Sequence, residues 1–287
     1  MKAVLFSRSG GPEVVTIGDV PVTEPGKGEV LVRVKAAAMN RADLLQRRGL
    51  YPPPRGTRAD MPGLELAGVV ERCGPGVTQW KGGERVMAIA PGEAQAELAV
   101  VHERMLVAIP EGMSFEEAGA VPEAFLTAHD ALFTAGELRP GWTVVIHAAG
   151  SGVSTAAIQL AKAAGAFVIG TSRTAEKLQR CRELGMDEGI VIDRNEVKCA
   201  EQVKQLAAGG VPLILDFVGA PYLGDNLKAL APRGRLIAIG LMGGADATVP
   251  LGAFIMKRIQ MIGTNLRMRA LEERIEATQR FAQDVVP

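Results

Sequence analysis

The sequence predicts an α/β protein in two parts, a β-rich first part followed by a part built on a parallel sheet. Three observations carry this expectation. Residues 29–110 alternate apolar and polar side chains between glycine turns, helical periodicity begins near residue 114, and strands alternate regularly with helices from Trp142 onward.

MKAVLFSRSGGPEVVTIGDV, residues 1–20, reads as a strand, a Gly-Pro turn and a second strand, without the unbroken apolar core of a secretion signal. EVLVRVKAAAMN (29–40) opens with the period-two alternation of a strand that buries one face. LELAGVVERCG (64–74) and ERVMAIA (84–90) read as two further strands, separated by GPGV and KGGE, where glycine tolerates turn dihedrals. AQAELAVVHERMLVAIP (94–110) continues the pattern to Pro110. The implied shape is a curled sheet or partly open barrel.

In SFEEAGAVPEAFLTAHDALFTAG (114–136), Ser114 and Glu117 form a capping-box pattern, and Pro122 interrupts or joins two helical pieces. The domain transition is expected between residues 110 and 125, giving domains 1–120 and 121–287. Strands are then expected at 143–148, 166–171, 188–193, 212–219, 235–240 and 260–265, with helices at 153–164, 174–184 and 196–208. Such a series makes right-handed βα units and a Rossmann-like parallel sheet. RALEERIEATQRFAQDVVP (269–287) reads as a final amphipathic helix stopped by Pro287.

Composition narrows the function classes. Lys plus Arg equals Asp plus Glu at 32 each, so no broad positive field recommends nucleic acid as the main partner. No stretch offers the roughly 20 apolar residues of a membrane span, and the expectation is a cytoplasmic protein. Cys73, Cys181 and Cys199 lack metal-binding spacing and read as free thiols. His102, His129 and His147 form no triad, and His147 reads as a structural neighbour of the loop that follows it. With no G-x-S-x-G elbow, hydrolysis receives little support.

That loop lies in TVVIHAAGSGVSTAAIQLAKAAGAFVIGTS (143–172), where Ala149, Ser151 and Ser154 stand at positions that a dinucleotide fingerprint gives to glycine. Gly150 and Gly152 keep the turn supple, and the Ser151 hydroxyl can donate to a phosphate or a nicotinamide amide. The alternative is that these small residues only let the helix lie close to its sheet. At the end of the next strand an acidic residue would select NAD, but here Ser172 and Arg173 stand there, with Lys177 one turn on. A hydroxyl and two cations suit the 2′-phosphate of NADPH; as solvated helix charges the cations would select nothing.

GGPE (10–13), GEVLVRVKAAAMNRADLLQRRGLYPPP (28–54), PGLELAGVV (62–70), GEAQAELAVV (92–101), IPEGMSFEEAGAVPEAFLTAHDAL (109–132) and IHAAGSGVSTAAIQLAKAAGA (146–166) occur together, followed by LILDFVGA and LIAIGLMGG. This joint pattern resembles the zinc-independent quinone oxidoreductase branch of the medium-chain dehydrogenase/reductase superfamily, closest to its p53-inducible group. The resemblance implies a GroES-like catalytic domain and a Rossmann-like NADP(H)-binding domain. It implies that Asn40 and Asp43 line or organise the reaction cleft, that Tyr51 faces substrate and nicotinamide, and that Thr127 supports the cofactor. Ser151, Gly152 and Val153 match the nucleotide loop, while Asp216 to Gly219, including Val218, and Gly240, Leu241 and Met242 match later cofactor loops.

Zinc-dependent relatives place Cys and His where this sequence has Asn40 and Leu64, and no four-cysteine lobe is present, so no metal is expected. The implied reaction passes hydride from NADPH to a small quinone, with Tyr51 or Asn40 donating to the carbonyl oxygen and water supplying the proton. Tyr51 as a gating aromatic, Asn40 as a strand-end residue and Asp43 as a helix-start group remain open. So do reduction of α,β-unsaturated carbonyls and a nucleotide-sensing or RNA-binding role with weak turnover. The family resemblance further implies a homodimer formed through the cofactor domain. The family's last strand back to the catalytic domain is unmatched at AQDVVP, so the expected fold lacks that return segment; a segment missing from the molecule itself, and not only from this sequence, would leave a bare sheet edge and exposed apolar surface.

Overall fold

Valine, leucine and alanine alternating with charge build the first sheet of the computed structural model, which describes residues 1–193 and 197–286. Strands β1 (Lys2–Phe6) and β2 (Val15–Asp19) pair antiparallel by themselves. Strands β3 (Glu29–Ala36), β4 (Glu65–Cys73), β5 (Arg85–Ile89), β6 (Leu98–His102) and β7 (Leu106–Ala108) form an antiparallel sheet in the order β6-β3-β4-β5-β7. Its core is Val30, Val32, Leu66, Val86, Met87 and their neighbours. Helix α1 (Arg41–Arg47) follows β3.

Ser114 and Glu117 make both bonds of the capping box, 3.1 and 2.8 Å, at the start of α2 (Phe115–Ala118). Pro122, which lacks an N–H to satisfy, opens the next helix, α3 (Pro122–His129), so it joins two helical pieces.

The second sheet has six parallel strands in the order β10-β9-β8-β11-β12-β13. They are β8 (Thr143–Ile146), β9 (Phe167–Ser172), β10 (Glu188–Val191), β11 (Val211–Asp216), β12 (Leu230–Ala238) and β13 (Gln260–Gly263). All six expected strands form. The reversal at β8, from which the chain winds outward both ways, is the switch point at which α/β sheets bind ligands. Helices α4 (Gly152–Ala163) and α5 (Ala175–Glu183) fall where expected. The helix expected at 196–208 is α6 (Ala200–Leu206), and its expected first residue, Glu196, lies outside the described residues.

Two helices were not anticipated. In α7 (Ala220–Ala229), Pro221 and Gly224 depress local propensity, and the buried Tyr222, Leu223 and Leu227 hold the helix on the sheet instead. Helix α8 (Leu251–Lys257) buries no residue.

The domain division differs from 1–120 and 121–287: one compact unit comprises Met1–Leu126 with everything from Leu266 onward, and the other is Thr127–Asn265. The terminal helix α9 (Leu271–Asp284) puts Ile275, Ala277 and Phe281 into the core of the five-stranded sheet. That apolar stripe is the reason the segment joins the first unit. The return is made by a helix, and the described residues form no strand there; Pro287, the expected stop, lies outside them.

Candidate functional site

In the first unit a polar cluster is buried around the start of α1. Asn40 is the N-cap, and its N–H donates to Asp43 Oδ2 at 2.8 Å. Asp43 Oδ1 accepts from Gly63 N at 2.9 Å. Both carboxylate oxygens therefore serve backbone groups, a positioning role that fits the helix-start reading. Asn40 Nδ2 donates to Glu65 Oε1 at 2.7 Å, and Glu65 Oε2 accepts from Glu123 N at 2.8 Å. One amide hydrogen of Asn40 is thus engaged, and the other has no partner among the described residues.

Arg267 stands over the Tyr51 ring at 5.1 Å, donates from Nε to Pro91 O at 2.7 Å and from Nη2 to Gln46 Oε1 at 2.6 Å. Its guanidinium is buried, and Nη1 finds no partner among the described residues. Burial pushes the carboxyls upward: Asp43 is raised, and Glu65 rises to about 6 despite its bond from Asn40. Glu123 rises to about 8, first by desolvation and then by the nearby Glu65 and Asp43.

In the second unit, Ala148 adopts φ +49°, and Ser151 N closes a tight turn on Ala148 O at 2.8 Å. Ser151 caps α4, its Oγ accepting from Ser154 N at 3.3 Å. Ser154 Oγ donates to His147 O at 3.0 Å, so the hydrogen between the two hydroxyls, 2.7 Å apart, comes from Ser151. The hydroxyl foreseen as a ligand donor is engaged inside its own loop. The fully buried Ser154 is the close-packing residue. What faces outward is the α4 N-terminus, where Gly152 and Val153 have N–H groups without intrahelical acceptors.

Behind the loop a buried chain of hydrogen bonds links three strands. Asp216 Oδ1 accepts from Val218 N (2.7 Å) and Gly219 N (3.0 Å), while Oδ2 accepts from Asn226 Nδ2 (3.0 Å). Asn226 Oδ1 must then accept from His147 Nε2 (2.7 Å), leaving Nδ1 to accept from the Thr171 hydroxyl (2.8 Å). Burial lowers the affinity of His147 for a second proton, so a neutral imidazole holds the loop. Gly219 has φ +88°, and a Cβ there would stand 2.6 Å from Gly244 O; one on Gly240 would meet Phe217 O at 2.8 Å. Leu241 and Met242 are exposed beside them, and Thr127 lies half-buried in α3.

Ser172, Arg173, Thr174 and Lys177 line one open pocket of ≈ 670 Å³ with the end of β10 and Asp193. The Lys177 stem crosses the loop, because a Cβ on Gly150 would stand 3.1 Å from its Cδ.

The alcohol dehydrogenase GroES-like domain family matches residues 26–137, and the zinc-binding dehydrogenase family matches residues 152–283. A quinone oxidoreductase from Pseudomonas aeruginosa is 40% identical over 258 residues, 89% of this chain and 78% of that protein. The chain belongs to the medium-chain dehydrogenase/reductase superfamily. The structure of a quinone oxidoreductase from Pseudomonas syringae pv. tomato superposes with a TM-score of 0.84 at 34% identity, covering 99% of this chain and 86% of that chain. A mycobacterial protein solved with NADPH gives 0.85 at 29% identity, covering 99% and 86%. The protein is thus an oxidoreductase of this superfamily, with a Rossmann-like unit that takes a nicotinamide cofactor.

Sequence reasoning missed Glu65, Glu123 and Arg267. A signal existed for the first: PGLELAGVV sets one carboxylate in an otherwise apolar run, and Glu65 is 1% exposed. A charge in a fully buried strand needs a partner or a purpose.

Proposed function

We propose that this chain is an NADPH-dependent reductase of small quinones. The observation that carries the reading is the pocket at the end of β9, where Ser172, Arg173, Thr174 and Lys177 converge; the end of β9 itself bears no carboxylate, and the one acid in the lining, Asp193, comes from beyond β10. Two cations and two hydroxyls match a 2′-phosphate, and the open α4 N-terminus suits a pyrophosphate. A relative of the same fold solved with NADPH supports the choice. When bound, NADPH supplies a hydride from its nicotinamide.

The chain's own residues hold the acceptor. The second amide hydrogen of Asn40 and the Tyr51 hydroxyl are the donors we assign to its carbonyl oxygen, with Arg267 fixing the Tyr51 ring. Asp43 fixes Asn40 and does not itself meet substrate. A zinc shell does not fit: Leu64 is a buried hydrocarbon, Asn40 offers an amide nitrogen that donates to Glu65 where a metal would need a thiolate, and among the described residues no three His, Cys, Asp or Glu groups could hold a metal. The reaction we propose therefore needs none.

The same reading includes a homodimer. Edge strand β13 exposes Met261, and α8, directly before it, exposes Leu251, Ile255 and Met256, an apolar face suited to a second copy. No helix among the described residues is long and apolar enough to cross a membrane. Three free cysteines suit the reducing cytoplasm to which we assign the protein.

The test is a binding titration of NADPH and NADH, repeated on Arg173→Ala. NADPH should bind more tightly and lose about tenfold in affinity or more on substitution, since a charge-assisted bond is worth about 1.5–3 kcal/mol, while NADH is unaffected. Equal affinities before and after substitution would sink the phosphate assignment.

A further inference from the structure

The buried cluster around Asn40 contains more acid than capping requires. Asp43 accepts two backbone N–H bonds, and Glu65 accepts one backbone and one side-chain bond. Each of these carboxylates is supported in its charged form. Glu123, in the first turn of α3, accepts no hydrogen bond among the described residues, although its own N–H donates to Glu65. It faces two like charges and one arginine. When three carboxyls share such a space, the proton settles on the one that is least hydrogen-bonded. As a residue Glu123 is half-buried, where Asp43 and Glu65 are buried.

A second, independent observation points to a ligand. Arg267 is 6% exposed and lies among Tyr51, Asp43 and Glu123; its Nη1 is buried with no partner among the described residues. A guanidinium fork filled on Nε and Nη2 but bare on Nη1 is a ready donor for an oxygen that the chain itself does not supply.

We infer that Glu123 is the proton donor to the acceptor's carbonyl oxygen, with Arg267 Nη1 meeting the same oxygen as its charge develops. This rests on the reductase reading above. The acceptor gains two electrons and one hydrogen as hydride. The Glu123 O–H bond breaks, its proton goes to the acceptor oxygen to complete a hydroquinone or an enol, and the carboxylate recovers a proton from water. The role given above to water thus becomes resupply.

Glu123→Gln keeps the volume and removes the acid. The first readout needs neither cofactor nor turnover: infrared titration of the full chain should show a protonated-carboxyl band that is lost near pH 8 and is absent from the variant. Stability gives a second. The folded carboxyl ionises at about 8 and the unfolded one near 4.5, so the unfolded state loses its proton first and wild-type stability falls as pH rises between these values. The variant should lack that decline.

The third readout is NADPH consumption with 1,4-benzoquinone and with a simple enone. Wild-type kcat should fall as pH rises through about 8, and the variant should lose on the order of a hundredfold in kcat along with that limb. Its NADPH affinity should be unchanged. Full kcat in Glu123→Gln, or a carboxyl already ionised at pH 7, overturns the donor role and leaves the reductase reading standing. If wild type turns over neither acceptor, both fall, and the infrared titration then reports only a buried acid.

Discussion

Ala148 carries φ +49°, a left-handed conformation that costs an L-residue roughly 1–2 kcal/mol, at the point where β8 turns into the nucleotide loop. The sequence directed attention to the missing glycines at Ala149, Ser151 and Ser154, whereas the strain sits one residue earlier. Ala148→Gly should therefore stabilise the protein by about 1 kcal/mol in urea unfolding, the relief of strain exceeding the added unfolded-state entropy. A loss of stability would show that the Ala148 methyl packs usefully. That Ser172, Arg173 and Lys177 line one pocket was legible because six consecutive residues contain them all. Ser151 was legible as a loop residue, but the direction of its hydroxyl depended on Ser154 and the His147 carbonyl.

Helix α9 shows what element-level pattern can and cannot say. Its amphipathic spacing was plain, yet nothing in that spacing names the sheet it covers. Phe281 is 1% exposed within the core of the five-stranded sheet, beside Ile275, and Gln279 Nε2 donates to Arg104 O at 2.7 Å. Phe281→Ala should cost about 3–5 kcal/mol in chemical denaturation of the full chain. A cost below about 1 kcal/mol would mean that α9 docks loosely. Strands β8 to β13 were read correctly because short apolar runs bounded by glycine and charge are local features. Helix α7 was not, because its stability comes from Tyr222, Leu223 and Leu227 against the sheet, in spite of Pro221 and Gly224.

At the scale of the whole molecule, Ile255 at 75% and Met256 at 82% exposure are costly to leave in water unless something covers them. Light scattering should find a dimer for the wild-type chain. Ile255→Glu combined with Met256→Lys should give a monomer with little change in the unfolding of the subunit, because neither side chain contributes to its core. A monomeric wild type would sink the homodimer reading.

The sequence by itself determined the succession of strands and helices, the nucleotide turn and the cations at the end of β9, since each depends on neighbours within a few residues. Only the tertiary structure decided which unit receives the terminal helix, and only it brought together Asp43, Glu65, Glu123 and Arg267 from four separate segments. A carboxyl takes its proton affinity from the solvent it loses and the charges it meets. Those are properties of the folded interior, which no stretch of chain specifies alone.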